Sequence, residues 1–217
     1  MNKLIVAFGV IFVLAALAAC RSNVSTSHLN EDMLSGITRG IWDEDVYINE
    51  YLGFSFALPE QWMAAGDNEM AALAGISAEI LSNLGQELSD DFWEIAGITM
   101  LWDMWVLDLI TGTSVQIIYE VLRYPKSMMS EIQFIETIVE QAAQTTLEMK
   151  TSIIPIPTII GNYAWYSYTN EIAVWGNFEN MRHFINIRDG IVRHIIVNYL
   201  PDIAPLEGTL RLFSGAE

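Results

Sequence analysis

The stretch "NMRHFINIRDGIVRHIIVNYL", residues 180–200, places two long runs rich in β-branched and aromatic residues on either side of Asp189-Gly190. An Asp-Gly pair takes the two positive φ angles of a two-residue hairpin turn more readily than almost any other dipeptide. Such a turn sets the register: Ile185 faces His194 and His183 faces Ile196. The face with the two histidines also carries Ile185, Ile187, Val192 and Ile196, so it reads as a packed face that needs cover.

The rest of the chain supplies that cover from further hairpins and helices. "VYINEYLGFSFALPEQW", residues 46–62, reads as a short strand, a turn through Asn49 to Gly53, and a second strand with Phe54, Phe56 and Leu58 on one face. Pro59 ends that ladder, having no N–H to donate, and Trp62 is placed to fold back over the strand end. Asp67 or Asn68 caps a helix expected to run to about Leu84. Residues 97–122 form a long hairpin around Leu109-Ile110-Thr111-Gly112, with Trp102, Met104 and Val106 sharing a face with Val115, Ile117 and Tyr119. Ser130 and Gln133 make a capping box that opens an amphipathic helix of about 18 residues. Its buried stripe is Ile132, Ile135, Ile138, Val139, Ala142 and Leu147. "NYAWYSYT" adds a strand to the Asp-Gly hairpin, and a short helix from about Ala204 to Phe213 closes the chain. Hairpins interleaved with helices imply an α+β fold, an antiparallel β-sheet with helices packed on it.

Before residue 41 the sequence has a different character. Residues 1–19 carry one charge, Lys3, ahead of an apolar run from Leu4 to Leu17, the pattern of a signal peptide. Leu17-Ala18-Ala19-Cys20 looks like a bacterial lipobox, with Cys20, the only cysteine, as the acylated residue of the processed chain. Residues 20–40, rich in Ser, Asn and Thr, read as a lipidated flexible tether, and residues 41–217 as one folded domain. The expected location is the extracytoplasmic face of a bacterial membrane. The formal charge of −17 argues against a nucleic-acid partner, because phosphate binding depends on Lys and Arg.

The 46–62 stretch resembles the start of PsbP-like domains, including small lipoproteins of Gram-positive bacteria, which share an Asn-containing turn, a Gly-Phe-x-Phe strand and a Pro-x-x-Trp ending. The likeness extends through the hairpin near 100–122 and the Asp-Gly hairpin. Gln61 stands where a Gly often precedes the Trp. The resemblance implies an antiparallel sandwich that serves as an accessory or protein-binding module, with no catalytic set.

Phosphate-binding glycine loops, GxSxG, HExxH and CxxC are all absent, and no cofactor is implied. Three constellations remain. His183 and His194 are diagonal neighbours on one face, within reach of a shared ion, but a zinc site needs at least a third ligand, so no metal is assigned. Asp103 and Glu120 fall diagonally on one face near Trp105 and Gln116, a pairing that would suit a hydrolase of the glycosidase type. Tyr163, Trp165, Tyr166 and Trp175 form a candidate binding surface, either for an envelope protein or, as a stacking platform, for envelope polysaccharide.

Overall fold

A computed structural model describes residues 37–74, 87–88, 100–121, 129–143, 149–174, 177–200 and 206–215. Cys20 with the leader, the tether up to residue 36, the first helix beyond Ala74, Leu147 and Trp175 lie outside the described residues.

Strands β1 (Ile37–Thr38), β2 (Ile41–Asp43), β3 (Val46–Asn49), β4 (Phe54–Ala57) and β5 (Trp62–Ala64) precede helix α1 (Asp67–Ala74). After β6 (Glu87–Leu88) come β7 (Met100–Asp108), β8 (Ser114–Val121) and helix α2 (Glu131–Ala142). Four long strands follow: β9 (Met149–Ile160), β10 (Tyr163–Val174), β11 (Asn177–Arg188) and β12 (Ile191–Tyr199). Helix α3 (Leu206–Leu210) and β13 (Phe213–Gly215) complete the described chain.

The fold is α+β, with two main antiparallel sheets and helices packed against them. Seven strands run in the order β5-β7-β8-β12-β11-β10-β9, four in the order β13-β4-β3-β2, and β1 pairs with β6. Asp189 and Gly190 both adopt positive φ, 52° and 75°. Ile185 stands opposite His194 and His183 opposite Ile196, the register that the Asp-Gly turn dictates.

The small sheet lies on one face of the large one. Tyr47, Phe54 and Phe56 meet Leu101, Met104, Val115, Ile117, Trp165 and Phe184 in a common core. Phe213, from β13, stands edge-on to both Phe54 and Phe56, its ring centre 5.1 and 5.0 Å from theirs. In the β3–β4 turn the Asn49 Oδ1 accepts from the Leu52 N–H at 2.7 Å, and Gly53 takes a φ of 66°. Trp62 begins β5 with its ring 6.1 Å from Phe56, covering the strand end as expected. Helix α2 packs on the opposite face of the large sheet, burying Phe134 and Ile135 against Tyr168, Ile185 and Val192. Its capping box is formed, with Ser130 Oγ accepting from the Gln133 N–H.

Four details differ from expectation. The closing helix is only Leu206–Leu210, and the residues after it join the small sheet as β13. The first helix begins at Asp67, with the Gly66 N–H capped by the Glu69 carboxylate at 3.0 Å rather than by a side chain of Asp67 or Asn68. Strand β9 forms although Pro155 and Pro157 interrupt it. It lies at the sheet edge, and the ladder skips the prolines between the pairs Ser167–Ile154 and Trp165–Thr158, as residues without an N–H require. In the β7–β8 hairpin the four-residue loop holds the expected register from Leu107–Ser114 back to Met104–Ile117, where a bulge at Asp103 shifts it so that Trp102 pairs with Ile118. The bulge moves Trp102 off the face it was expected to share with Met104 and Val106.

Phe56 has no exposed surface whereas Ile156, on β9, is 75 % exposed. Phe56→Ala is expected to cost about 3–5 kcal/mol, and Ile156→Ala to stay within about 0.5 kcal/mol of wild type. Urea unfolding midpoints at constant m-value measure both.

Candidate functional site

The bulge in β7 turns Asp103 inward between the two sheets, where it is 2 % exposed. Its carboxylate accepts from the Tyr47 hydroxyl, from the Tyr119 hydroxyl at 3.1 Å, from Asn49 Nδ2 at 2.8 Å and from the Gly40 N–H at 3.1 Å. Arg39 Nε lies 3.4 Å from its other oxygen and bonds Asp67 through Nη2. Burial pushes the Asp103 carboxyl up, while the Tyr47 hydrogen bond, the Arg39 charge and the Gly40 N–H pull it back. Burial and the Asp103 charge raise both tyrosine hydroxyls well above their usual range, so they serve as donors. This cluster joins β3, β7, β8 and the segment before β2.

Glu120 belongs to the other face of the sheet. Its neighbour Tyr119 points toward Asp103, so Glu120 points away. It accepts from His194 Nε2 at 3.2 Å, on the side covered by α2. The paired-carboxylate arrangement therefore does not form, because the bulge displaces Asp103 from the register that the pairing assumed. Asp103 and Glu120 thus stand on opposite faces of the sheet, without the shared cleft that a glycosidase-type pair requires.

The two histidines do share a face, as the Asp-Gly register requires. His194 is 4 % exposed and meets the Phe134 ring edge-on at 5.9 Å. His183, 3 % exposed, lies parallel to Tyr168 with ring centres 4.5 Å apart. Its Nε2 has no hydrogen-bond partner, and burial, then the nearby His194, lower its pKa to about 3. It is thus a neutral stacking partner at ordinary pH. Among the described residues no group of three or more His, Cys, Asp or Glu is placed to hold a metal.

The aromatic run divides between faces. Trp165 is fully buried and donates from Nε1 to the Ile160 carbonyl at 3.1 Å. Tyr166, one residue on, is half-buried beside α2, where Ile138 and Val139 also pack. Tyr163 is half-buried at the start of β10 and accepts at its hydroxyl from Arg188 Nη1 at 3.1 Å. Strand alternation and enclosure of Trp165 prevent these rings from forming one stacking platform, so the surface drawn from the sequence is corrected in that respect.

Exposed apolar side chains lie elsewhere: Leu109 and Ile110 in the β7–β8 loop are 64 % and 79 % exposed, and Ile41, Val46 and Met63 are exposed singly. Along β9, at the edge of the large sheet, Ile153, Ile156 and Ile159 are 37 %, 75 % and 70 % exposed. Sequence reasoning missed this strand because its prolines argue against any strand. It also passed over Arg193, a cation inside the apolar run Ile191–Val197, whose place in that run was the available signal.

No protein-family model matches the chain, and no curated protein matches it.

Two outcomes are expected of this geometry. Removing the Asp103 carboxylate leaves its buried donors unmet, so Asp103→Ala should cost about 3–5 kcal/mol, and Tyr119→Phe about 1.5–3 kcal/mol, in urea unfolding. Because the His183 pKa falls from 6.5 unfolded to about 3 folded, the unfolded chain binds the extra proton between those values. Stability from this residue is complete above about pH 6.5 and lost as pH falls toward 3. His183→Phe should remove up to about 2 kcal/mol of the stability difference between pH 7.5 and pH 5, read as unfolding midpoints at each pH.

Proposed function

We propose that this chain is a lipid-anchored, non-catalytic binding module with a PsbP-like domain, tethered through Cys20 to the outer face of a bacterial membrane. The observation that carries the binding role is the exposure of Ile153, Ile156 and Ile159 along β9, the edge strand of the large sheet. Among the described residues nothing pairs with the outer edge of that strand, and a free sheet edge is ordinarily blunted with charges, prolines or bulges, or covered. Pro155 and Pro157 offer no N–H, so a partner cannot extend the sheet across this stretch by adding a strand. It would pack on the isoleucine side chains instead, as the apolar stripe of an amphipathic helix from another envelope protein does.

The engagement of both candidate acid–base groups fits the same reading. Asp103 is taken up by hydroxyl and amide donors, and Glu120 by His194.

A photoreactive residue at position 156, with the exposed Glu60 as the control position, tests the surface in intact cells. The expected result is a cross-link to one protein, identified by mass spectrometry, that is lost when Ile153 and Ile159 are changed to Ser and is absent from position 60. The same adducts from both positions would refute the surface. Cys20→Ala should abolish palmitate labelling and move the protein from the membrane to the soluble fraction; unchanged fractionation would refute the anchor.

A further inference from the structure

Arg193 lies within β12, on the face of the large sheet that meets the small one, and has no exposed surface. Its guanidinium carbon is 4.4 Å from the centre of the Tyr51 ring and 5.0 Å from that of Tyr163. The cation is therefore held between two aromatic rings. Its Nε, Nη1 and Nη2 make no hydrogen bond of ordinary geometry among the described residues, although the Tyr51 hydroxyl also interacts with the guanidinium. Aromatic rings and a phenol hydroxyl attract a cation but do not neutralise it as a carboxylate would, and a buried charge without a counter-ion is costly.

Directly across the ladder from Arg193 stands Asn186. Its Nδ2 donates to the Ala164 carbonyl at 3.1 Å. A carbonyl oxygen accepts only from the amide nitrogen, so that bond sets the orientation of the side chain. The Asn186 Oδ1 is left buried with no donor. Unmet donors and an unmet acceptor thus occupy opposed positions on two neighbouring strands.

Two turns close over this pair. Tyr51 belongs to the β3–β4 turn, and Tyr163 follows the turn between β9 and β10. The turns touch through glycine: a Cβ added to Gly161 would come within 2.4 Å of the Gly53 carbonyl oxygen. Arg188, beside them, is already engaged by the Tyr163 hydroxyl at 3.1 Å and by Asp189 at 3.3 Å. Arg193 has no such counter-ion.

We propose that Arg193 and Asn186 form a binding site for a small carboxylate that carries its own hydrogen-bond donor, such as a hydroxy acid, admitted when the two turns part. The carboxylate oxygens accept two parallel N–H bonds from the guanidinium, and the ligand's hydroxyl donates to Asn186 Oδ1. Tyr51 and Tyr163 close the site from the small-sheet side. This site is separate from the β9 edge, and its existence does not depend on the anchor or on a protein partner.

The test is thermal unfolding of the full chain in malate, acetate, phosphate or chloride at matched ionic strength. Malate should raise the midpoint saturably, acetate less, and chloride not at all. Arg193→Met should abolish the malate response while its midpoint without ligand equals or exceeds that of wild type, because the unmatched charge is gone. Asn186→Ala should weaken malate about tenfold, the worth of one hydrogen bond, and leave acetate unchanged. If Arg193→Met does not fold, calorimetric titration of malate into wild type and Asn186→Ala decides the matter on the same tenfold criterion. A wild type that binds no carboxylate saturably, a response retained in Arg193→Met, or a preference for phosphate over both carboxylates overturns the proposal.

Discussion

A carboxylate buried between two sheets must be matched by donors on every side, and Asp103 is matched by groups from three separate parts of the chain. Tyr47 and Asn49 come from the small sheet, Tyr119 from the neighbouring strand of the large sheet, and Gly40 with Arg39 from the segment before both. Apolar contacts between Phe54, Phe56 and the large sheet supply most of the attraction between the layers, but they are tolerant of small displacements. Hydrogen bonds to a single oxygen pair are not. The Asp103 cluster therefore selects the one relative placement of the sheets in which all these donors converge.

The same placement decides what lies at the other end of the interface. Tyr51 follows Asn49 by two residues, and its ring meets Tyr119 edge-on at 5.8 Å while covering Arg193 at 4.4 Å. Tyr119 thus bonds Asp103 through its hydroxyl and packs against Tyr51 with its ring. The positions of the buried anion and the buried cation are coupled through one side chain, although the two charges do not pair.

Much of this architecture was legible in the residues. Asp189-Gly190 permits one tight turn, so the register of β11 and β12 followed, along with the shared face of His183 and His194. The capping box at Ser130 and the Asn49–Gly53 turn were equally plain, because each depends on local chemistry. The bulge at Asp103 was not: Trp102, Met104 and Val106 alternate without interruption, and only the tertiary pull of Tyr47, Asn49 and Gly40 on the carboxylate explains the extra residue. Strand β9 was hidden for the opposite reason, since Pro155 and Pro157 are local signals against a strand that an edge position overrides. Trp165 and Tyr166 show a third limit. Alternation separates their faces, but which face is covered depends on where the small sheet and α2 dock.

Arg39 and Gly40 are the first described residues, coming from the N-terminal side, that bond to the domain's interior. A pull applied along the chain from that side would reach them after β1, before any strand of the small sheet. Once the two-residue β1–β6 pairing gives way, it would load the Arg39 and Gly40 bonds to Asp103 before it reaches β2, the edge strand of the small sheet. The buried carboxylate would thus act as a clasp on the entering chain, holding it ahead of the first strand of the small sheet.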